Sequence, residues 1–149
     1  MSELQLDHDF FMRKALALAE QALSEDEIPI GALIVHNNII LGKGYNQTER
    51  LMDVTAHAEM LAITAATNQL QAKYLNDCTL YVTIQPCVMC AGAIHHARIG
   101  TVIYGAYEPK TGCTMHLSTT FLEQKTKWIG GIMESDCTQI LQQFFQSKR

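Results

Sequence analysis

Short apolar runs of β type alternate with stretches of helical periodicity along this chain, and few architectures accept that order. Residues 8–24 carry Phe11, Ala15, Leu18 and Ala22 at helical spacing, with Asp7 or Asp9 to cap the N-terminus. Residues 29–36 (PIGALIVH) and 39–44 read as strands, and Asn37-Asn38 between them supplies the tight turn of a hairpin. An aperiodic loop at 45–54 leads to a helix over 56–67, rich in Ala, Met and Leu, with Thr55 as its cap. Residues 78–84 (CTLYVTI) form a third strand ended by Pro86, and 87–96 a helix entered through that proline. A fourth strand covers 101–106 (TVIYGA), a loop with a short helix 107–127, and a fifth strand 128–133. A closing helix spans 135–148, with Ile140, Leu141, Phe144 and Phe145 as its apolar positions.

This order implies an α/β layered domain. Strands joined by helices lie parallel, because right-handed crossovers return the chain to one sheet. The sheet is therefore mixed, antiparallel at the hairpin edge and parallel beyond it. Ligands of such sheets bind at the carboxyl ends of strands, where helices begin. At 149 residues the length fits one domain over 1–149, large enough to bury a core without staples.

Composition narrows the function. Hydrophobic residues make up 48% and charged residues 17%, which excludes an intrinsically disordered chain. A net charge of −4 excludes a coat of positive charge for sequence-independent nucleic-acid binding. It does not exclude a local basic patch. The acidic excess lies in residues 1–30, whereas the last forty hold Lys110, Lys125, Lys127, Lys148 and Arg149 against Glu123, Glu134 and Asp136. Five cysteines, an acidic opening and no apolar run of membrane length point to a reducing cytoplasm. In that compartment Cys87-x-x-Cys90 reads first as metal or redox chemistry. Gly42-x-Gly44 lacks the third glycine of a dinucleotide fingerprint, so no dinucleotide cofactor is expected.

His57-Ala58-Glu59 precedes Pro86-Cys87-Val88-Met89-Cys90 by 26 residues. Cys87 and Cys90, three apart at a helix start, share a face, and the helix N-terminus favours their thiolates. His57 adds a nitrogen, making the three protein ligands of a catalytic zinc site. Glu59 stands roughly 200° around an ideal helix from His57. The two converge only if His57 lies at the extreme helix start and Glu59 reaches in from the first turn. Glu59 would then move protons beside a water whose pKa the zinc lowers toward roughly 7. That is the chemistry of hydrolytic deamination.

H-x-E followed by P-C-x-x-C resembles the zinc deaminase signature. The resemblance extends to Glu27 through Ala32, Gly44-Tyr45-Asn46, Thr55 through Glu59, residues 86–94 (PCVMCAGAI), Ala97 through Gly100, Lys110-Thr111-Gly112 and Phe144-Phe145. Together these are similar to the bacterial tRNA-specific adenosine deaminases, which convert the wobble adenosine of an anticodon to inosine. The resemblance implies a three-layer α/β/α cytidine deaminase-like fold with a mixed five-stranded sheet. It implies one zinc per subunit on His57, Cys87 and Cys90, with Glu59 as proton shuttle and Asn46 touching the target nucleoside. It also implies a homodimer with the tRNA anticodon arm lying across both subunits, contacted by Lys110, Phe144, Phe145, Lys148 and Arg149. Two positions depart from the pattern: Gln85 stands where a carboxylate is usual, and Glu108 where aspartate is common.

Other readings stay open at this point. A structural zinc site closed by Cys113 would use the same histidine and cysteines, though it has no need of Glu59. Cys87-x-x-Cys90 as a redox pair lacks a thioredoxin-type βαβ approach. A deaminase of free guanine or cytosine would share the zinc chemistry, and a catalytically silent RNA-binding subunit would keep only the zinc. Of Phe144 and Phe145, helical spacing places one in the core and frees the other to meet RNA.

Overall fold

The computed structural model of the chain describes residues 6–148. The elements run α1 (His8–Ser24), β1 (Gly31–His36), β2 (Ile39–Tyr45), α2 (Ala58–Leu70), β3 (Thr79–Ile84) and α3 (Val88–Ala97). Then follow β4 (Thr101–Ala106), a 3₁₀ turn (Cys113–Met115), α4 (Thr119–Leu122), β5 (Lys127–Ile129) and α5 (Glu134–Ser147). The five strands form one sheet in the order β2-β1-β3-β4-β5.

The expected direction rule holds for each pair of strands joined by a helix. β1 is antiparallel to both β2 and β3, so β2 and β3 run the same way, as a crossover through α2 requires. β3, β4 and β5 are mutually parallel. Alternation along the strands sorts the core into two layers. Ala32, Ile34, Leu80, Val82, Val102 and Tyr104 face α2 and α3. Leu33, Val35, Tyr81 and Ile103 face Phe11, Met12 and Ala15 of α1 and Cys137 of α5. The result is the α/β/α sandwich of the expectation. Among the described residues no helix is long and apolar enough to cross a membrane.

Gly42 and Gly44 have a packing reason in place of the discarded cofactor one. A Cβ on Gly42 would strike the Ala62 carbonyl and the Ala66 nitrogen, and one on Gly44 the Ala58 carbonyl. Bare strand backbone thus lets α2 lie directly on β2. α2 in turn carries His57 and Glu59 at its start.

Several boundaries move. β1 starts at Gly31, because Ile30 N–H turns back to the Ile28 carbonyl across Pro29. α2 is capped by His57 in extended geometry and not by Thr55, whose hydroxyl and N–H both go to the Asp53 carboxylate at 2.7 and 2.8 Å. α3 begins at Val88 with Cys87 as its cap. β5 ends at Ile129, since Gly131 (φ 87°) and Met133 (φ 55°) turn the backbone out of the ladder.

Candidate active site

β2, β3 and β4 all end at one edge of the sheet, and α2 and α3 begin there. That edge gathers Asn46 after β2, His57 and Glu59 at the head of α2, Gln85 and Cys87 after β3, and Tyr107 after β4. His57 and Cys87 occupy equivalent N-cap positions with extended backbones, φ/ψ −74/152° and −76/176°. Each helix thereby aims its unpaired N–H groups and positive dipole end at the same spot. Glu59 follows within the first turn of α2.

The ligand atoms of His57, Cys87 and Cys90 lie within 4.8 Å of one another, the group of three that could hold a metal among the described residues. His57 Nδ1 is 3.6 Å from Cys87 Sγ and 3.5 Å from Cys90 Sγ. Bonds of about 2.0–2.3 Å at a tetrahedral angle separate an imidazole nitrogen from a thiolate by roughly 3.5 Å, so the donor set fits a zinc ion. Electrostatics fit as well. The Cys90 thiol and then His57 hold the Cys87 sulfur down at about 4, so it is a thiolate at neutral pH. Its negative sulfur raises the His57 pKa, while the shared proton and burial push Cys90 up. A cation replacing those protons finds a preformed cage. Cys113 is fully buried with Ala91 and Leu122 outside the group, which removes it as a fourth ligand.

Glu59 is 3% exposed, and burial raises its pKa above the usual carboxylate range. A carboxyl poised higher on the scale exchanges protons more readily near neutrality. It opens on a cavity of about 390 Å³, within the range that holds small ligands. Apolar walls come from Ile28, Ile30, Ile84 and Leu141. Asn46 lines the same cavity, 4% exposed. Its Nδ2 donates to the Ile28 carbonyl at 3.3 Å, while Oδ1 is the one buried side-chain polar atom without a partner among the described residues. An orphaned acceptor on a residue that lines a ligand-sized cavity is suited to a donor on the ligand.

Gln85 and Glu108 are joined in one hydrogen-bonded loop. Gln85 Oε1 accepts from Glu108 N–H at 3.2 Å, and its Nε2 donates to Thr114 Oγ at 2.9 Å. Glu108 turns its carboxylate onto the N–H groups of Lys110 and Thr111 at 2.9 and 3.4 Å.

The structure thus gathers His57, Glu59, Cys87 and Asn46 around one cavity, with Cys90 fully buried behind His57. Phe145 stands at its rim, 49% exposed, while Phe144 is 8% exposed against α5's inner side. Lys110 is exposed on the loop after β4. Lys148 lies away from the cavity and pairs with Asp26 at 2.5 Å. Arg149 lies outside the described residues. Sequence reading missed Tyr107, which lines the cavity mouth. Its place immediately past a parallel strand was the available signal.

Residues 6–149 match the MafB19-like deaminase family. A tRNA-specific adenosine deaminase from Streptococcus pyogenes serotype M18 (strain MGAS8232) is 42% identical over 147 residues, spanning 96% of this chain and 92% of the relative. A solved structure from studies of A-to-I editing by tRNA:A34 deaminases at the wobble position of transfer RNA superposes with a TM-score of 0.81. It is 39% identical, covering 88% of this chain and 98% of that one. Guanine deaminase from Bacillus subtilis superposes less fully, with a TM-score of 0.66 and 40% identity over 68% of this chain and 66% of that one.

Proposed function

From a chain that belongs to the MafB19-like deaminases, in the branch of the tRNA-specific adenosine deaminases, we propose the hydrolysis of wobble adenosine in a tRNA anticodon to inosine and ammonia. The observation that carries the reaction is a buried carboxylate, Glu59, opening on the same cavity as the His57–Cys87–Cys90 group. The similarity over nearly the full length of the S. pyogenes relative supports the RNA substrate, where the guanine deaminase covers two thirds.

His57 Nδ1 and the sulfurs of Cys87 and Cys90 would hold one zinc ion per subunit. A zinc held there supplies Lewis acidity that makes water a competent nucleophile near neutral pH. Glu59 takes the proton that water gives up as its oxygen bonds to C6, and delivers it to N1 of the purine. As the C6–N6 bond breaks, the proton left on the new C6 hydroxyl passes through Glu59 to the departing amine, and C6 becomes the carbonyl of inosine with release of ammonia. Burial of Glu59 keeps its proton affinity high enough to serve both transfers. Asn46 Oδ1 accepts a hydrogen bond from the nucleoside, and Ile28, Ile30 and Leu141 exclude bulk water around the ring.

Of the residues the resemblance assigns to the anticodon arm, Lys110, Phe144, Phe145 and Lys148 are described in the structure, and Arg149 is carried on the resemblance alone. Exposed Phe145 and Lys110 are the direct contacts, and Phe144 and Lys148 brace α5 from behind. The chain acts as one deaminase domain and as a homodimer, a state supported by exposed Leu51, Met52 and Val54 ahead of His57. Five unpaired cysteines suit the cytoplasm.

The test gives the zinc-loaded protein an anticodon stem-loop beginning with adenosine, with free guanine and free cytosine in parallel. Inosine in the RNA is expected. Ammonia from a free base alone would replace the substrate and leave the chemistry standing.

A further inference from the structure

Two rings are more exposed than any other Phe, Tyr or Trp among the described residues, and both line the active-site cavity. Tyr107 is 52% exposed and Phe145 49%. They reach the rim from different elements, Tyr107 from the carboxyl end of β4 and Phe145 from α5. Each is braced by a buried ring standing nearly perpendicular to it. Tyr104, 7% exposed, meets Tyr107 at 5.3 Å and 87°, and Phe144, 8% exposed, meets Phe145 at 5.3 Å and 79°. A perpendicular neighbour covers at most one face of a ring and fixes its orientation, which suits a stacking platform better than a surface side chain without support.

The chemistry at the cavity floor creates a need for such a platform. A purine can bring C6 to Glu59 only when splayed out of its strand, and its neighbours then lose the faces they were stacked on. An aromatic at the rim restores one. Charge on the Tyr107 side permits a strand to pass. Glu108 turns its carboxylate inward onto backbone N–H groups, and Lys110, exposed beyond it, makes no ion pair among the described residues.

We propose that Tyr107 is a specificity-determining residue whose ring stacks on a nucleotide flanking the target adenosine, across the cavity mouth from Phe145. This rests on the RNA-deaminase reading, and deepens it by assigning a contact to the strand beside the target. Enzymes acting on free bases have no flanking nucleotide and gain nothing from it.

The experiment uses the zinc-loaded protein and anticodon stem-loops carrying 2-aminopurine on the 5′ or the 3′ side of the target adenosine. Stacking on Tyr107 quenches that fluorophore at one of the two positions. Tyr107→Leu, which keeps apolar bulk without a π-face, is expected to abolish that quenching and to raise KM for the stem-loop about 5- to 100-fold, with kcat within about twofold. Tyr107→Phe is expected to retain the quenching. Tyr74→Leu, on an exposed ring covered by Arg98 away from the cavity, serves as the surface control and is expected to change neither readout. Melting curves confirm that each variant is folded. Unchanged quenching and KM in folded Tyr107→Leu, with RNA still deaminated by the wild type, would overturn this assignment alone. A wild type inert on RNA and active on free guanine would overturn it together with the substrate reading.

Discussion

Glu59 and Asn46 both carry buried polar atoms to the cavity, at different costs. The Glu59 pKa is raised because its charge is poorly solvated, which is what a proton carrier needs. Glu59→Gln keeps shape and hydrogen-bonding reach but cannot transfer a proton. It is expected to lower kcat by about 10²- to 10⁴-fold while zinc content, read by elemental analysis, stays at the wild-type level. Full activity in that variant would remove Glu59 from the mechanism. Asn46 bears the opposite kind of cost, a buried acceptor left without a partner. An unsatisfied buried polar atom costs about 1–3 kcal/mol. Asn46→Leu, similar in size and without polar atoms, is therefore expected to melt no lower than wild type while losing at least about tenfold in kcat/KM. Loss of both stability and activity would mean that the 3.3 Å bond to Ile28 matters more than the orphan. His57, Glu59, Cys87 and Cys90 were legible because ligand spacing is written in the local chain. Tyr107 was not, and the choice between Phe144 and Phe145 stayed open, because β4 and α5 meet only in the folded molecule.

At the scale of elements, the site's geometry depends on how closely α2 can approach β2. Gly44 lies under the Ala58 carbonyl, one residue from the cap that carries His57. Gly44→Ala would press a methyl into helix backbone, which has no rotamer to yield. An overpacking cost of about 3 kcal/mol follows, a fall in Tm of roughly 6–12 °C at this chain length. Activity should fall as well, since α2 moves with His57 and Glu59. Gly92 in α3 is the control, because nothing lies within 4 Å of its added Cβ. Gly92→Ala is expected to raise stability by about 0.5–1 kcal/mol through helix propensity. Equal effects at the two glycines would refute the close-approach argument. The pair Gly42-x-Gly44 was visible in the sequence, and its reason was not, because a missing side chain announces no partner. α1 and β4 matched their expected spans because a cap or a clean apolar run bounds each. α2 begins two residues later than expected, because Asp53 competes for Thr55, an Asx-type contact that propensity does not weigh.

Across the whole molecule, buried acids that ionise only at high pH are spread over every part of the core. Burial pushes Tyr81 and Cys137 on one face of the sheet up to about 12, and Tyr104 on the other face likewise to about 12. Cys113, in the small cluster beside α4, is held at about 11 by burial. In each case the folded pKa stands above the ordinary thiol or phenol value. The folded state therefore binds the proton more tightly than the unfolded chain. Stability from these groups is complete below the unfolded values of about 9 for thiols and 10 for phenols. It is lost as pH climbs toward the folded values of 11 to 12. Because the groups sit on both faces of one sheet, the loss should be a single cooperative unfolding and not a local opening. Thermal melts followed by far-ultraviolet circular dichroism are expected to be flat from pH 7 to about 8.5, then to shift downward through pH 11 as one transition. Cys137→Ala separates this linkage from general alkaline damage. Its thiol packs against Gly105, so the variant should melt lower at pH 7 and yet lose less Tm between pH 9 and 11. An alkaline slope identical to that of the wild type would show that Cys137 does not contribute.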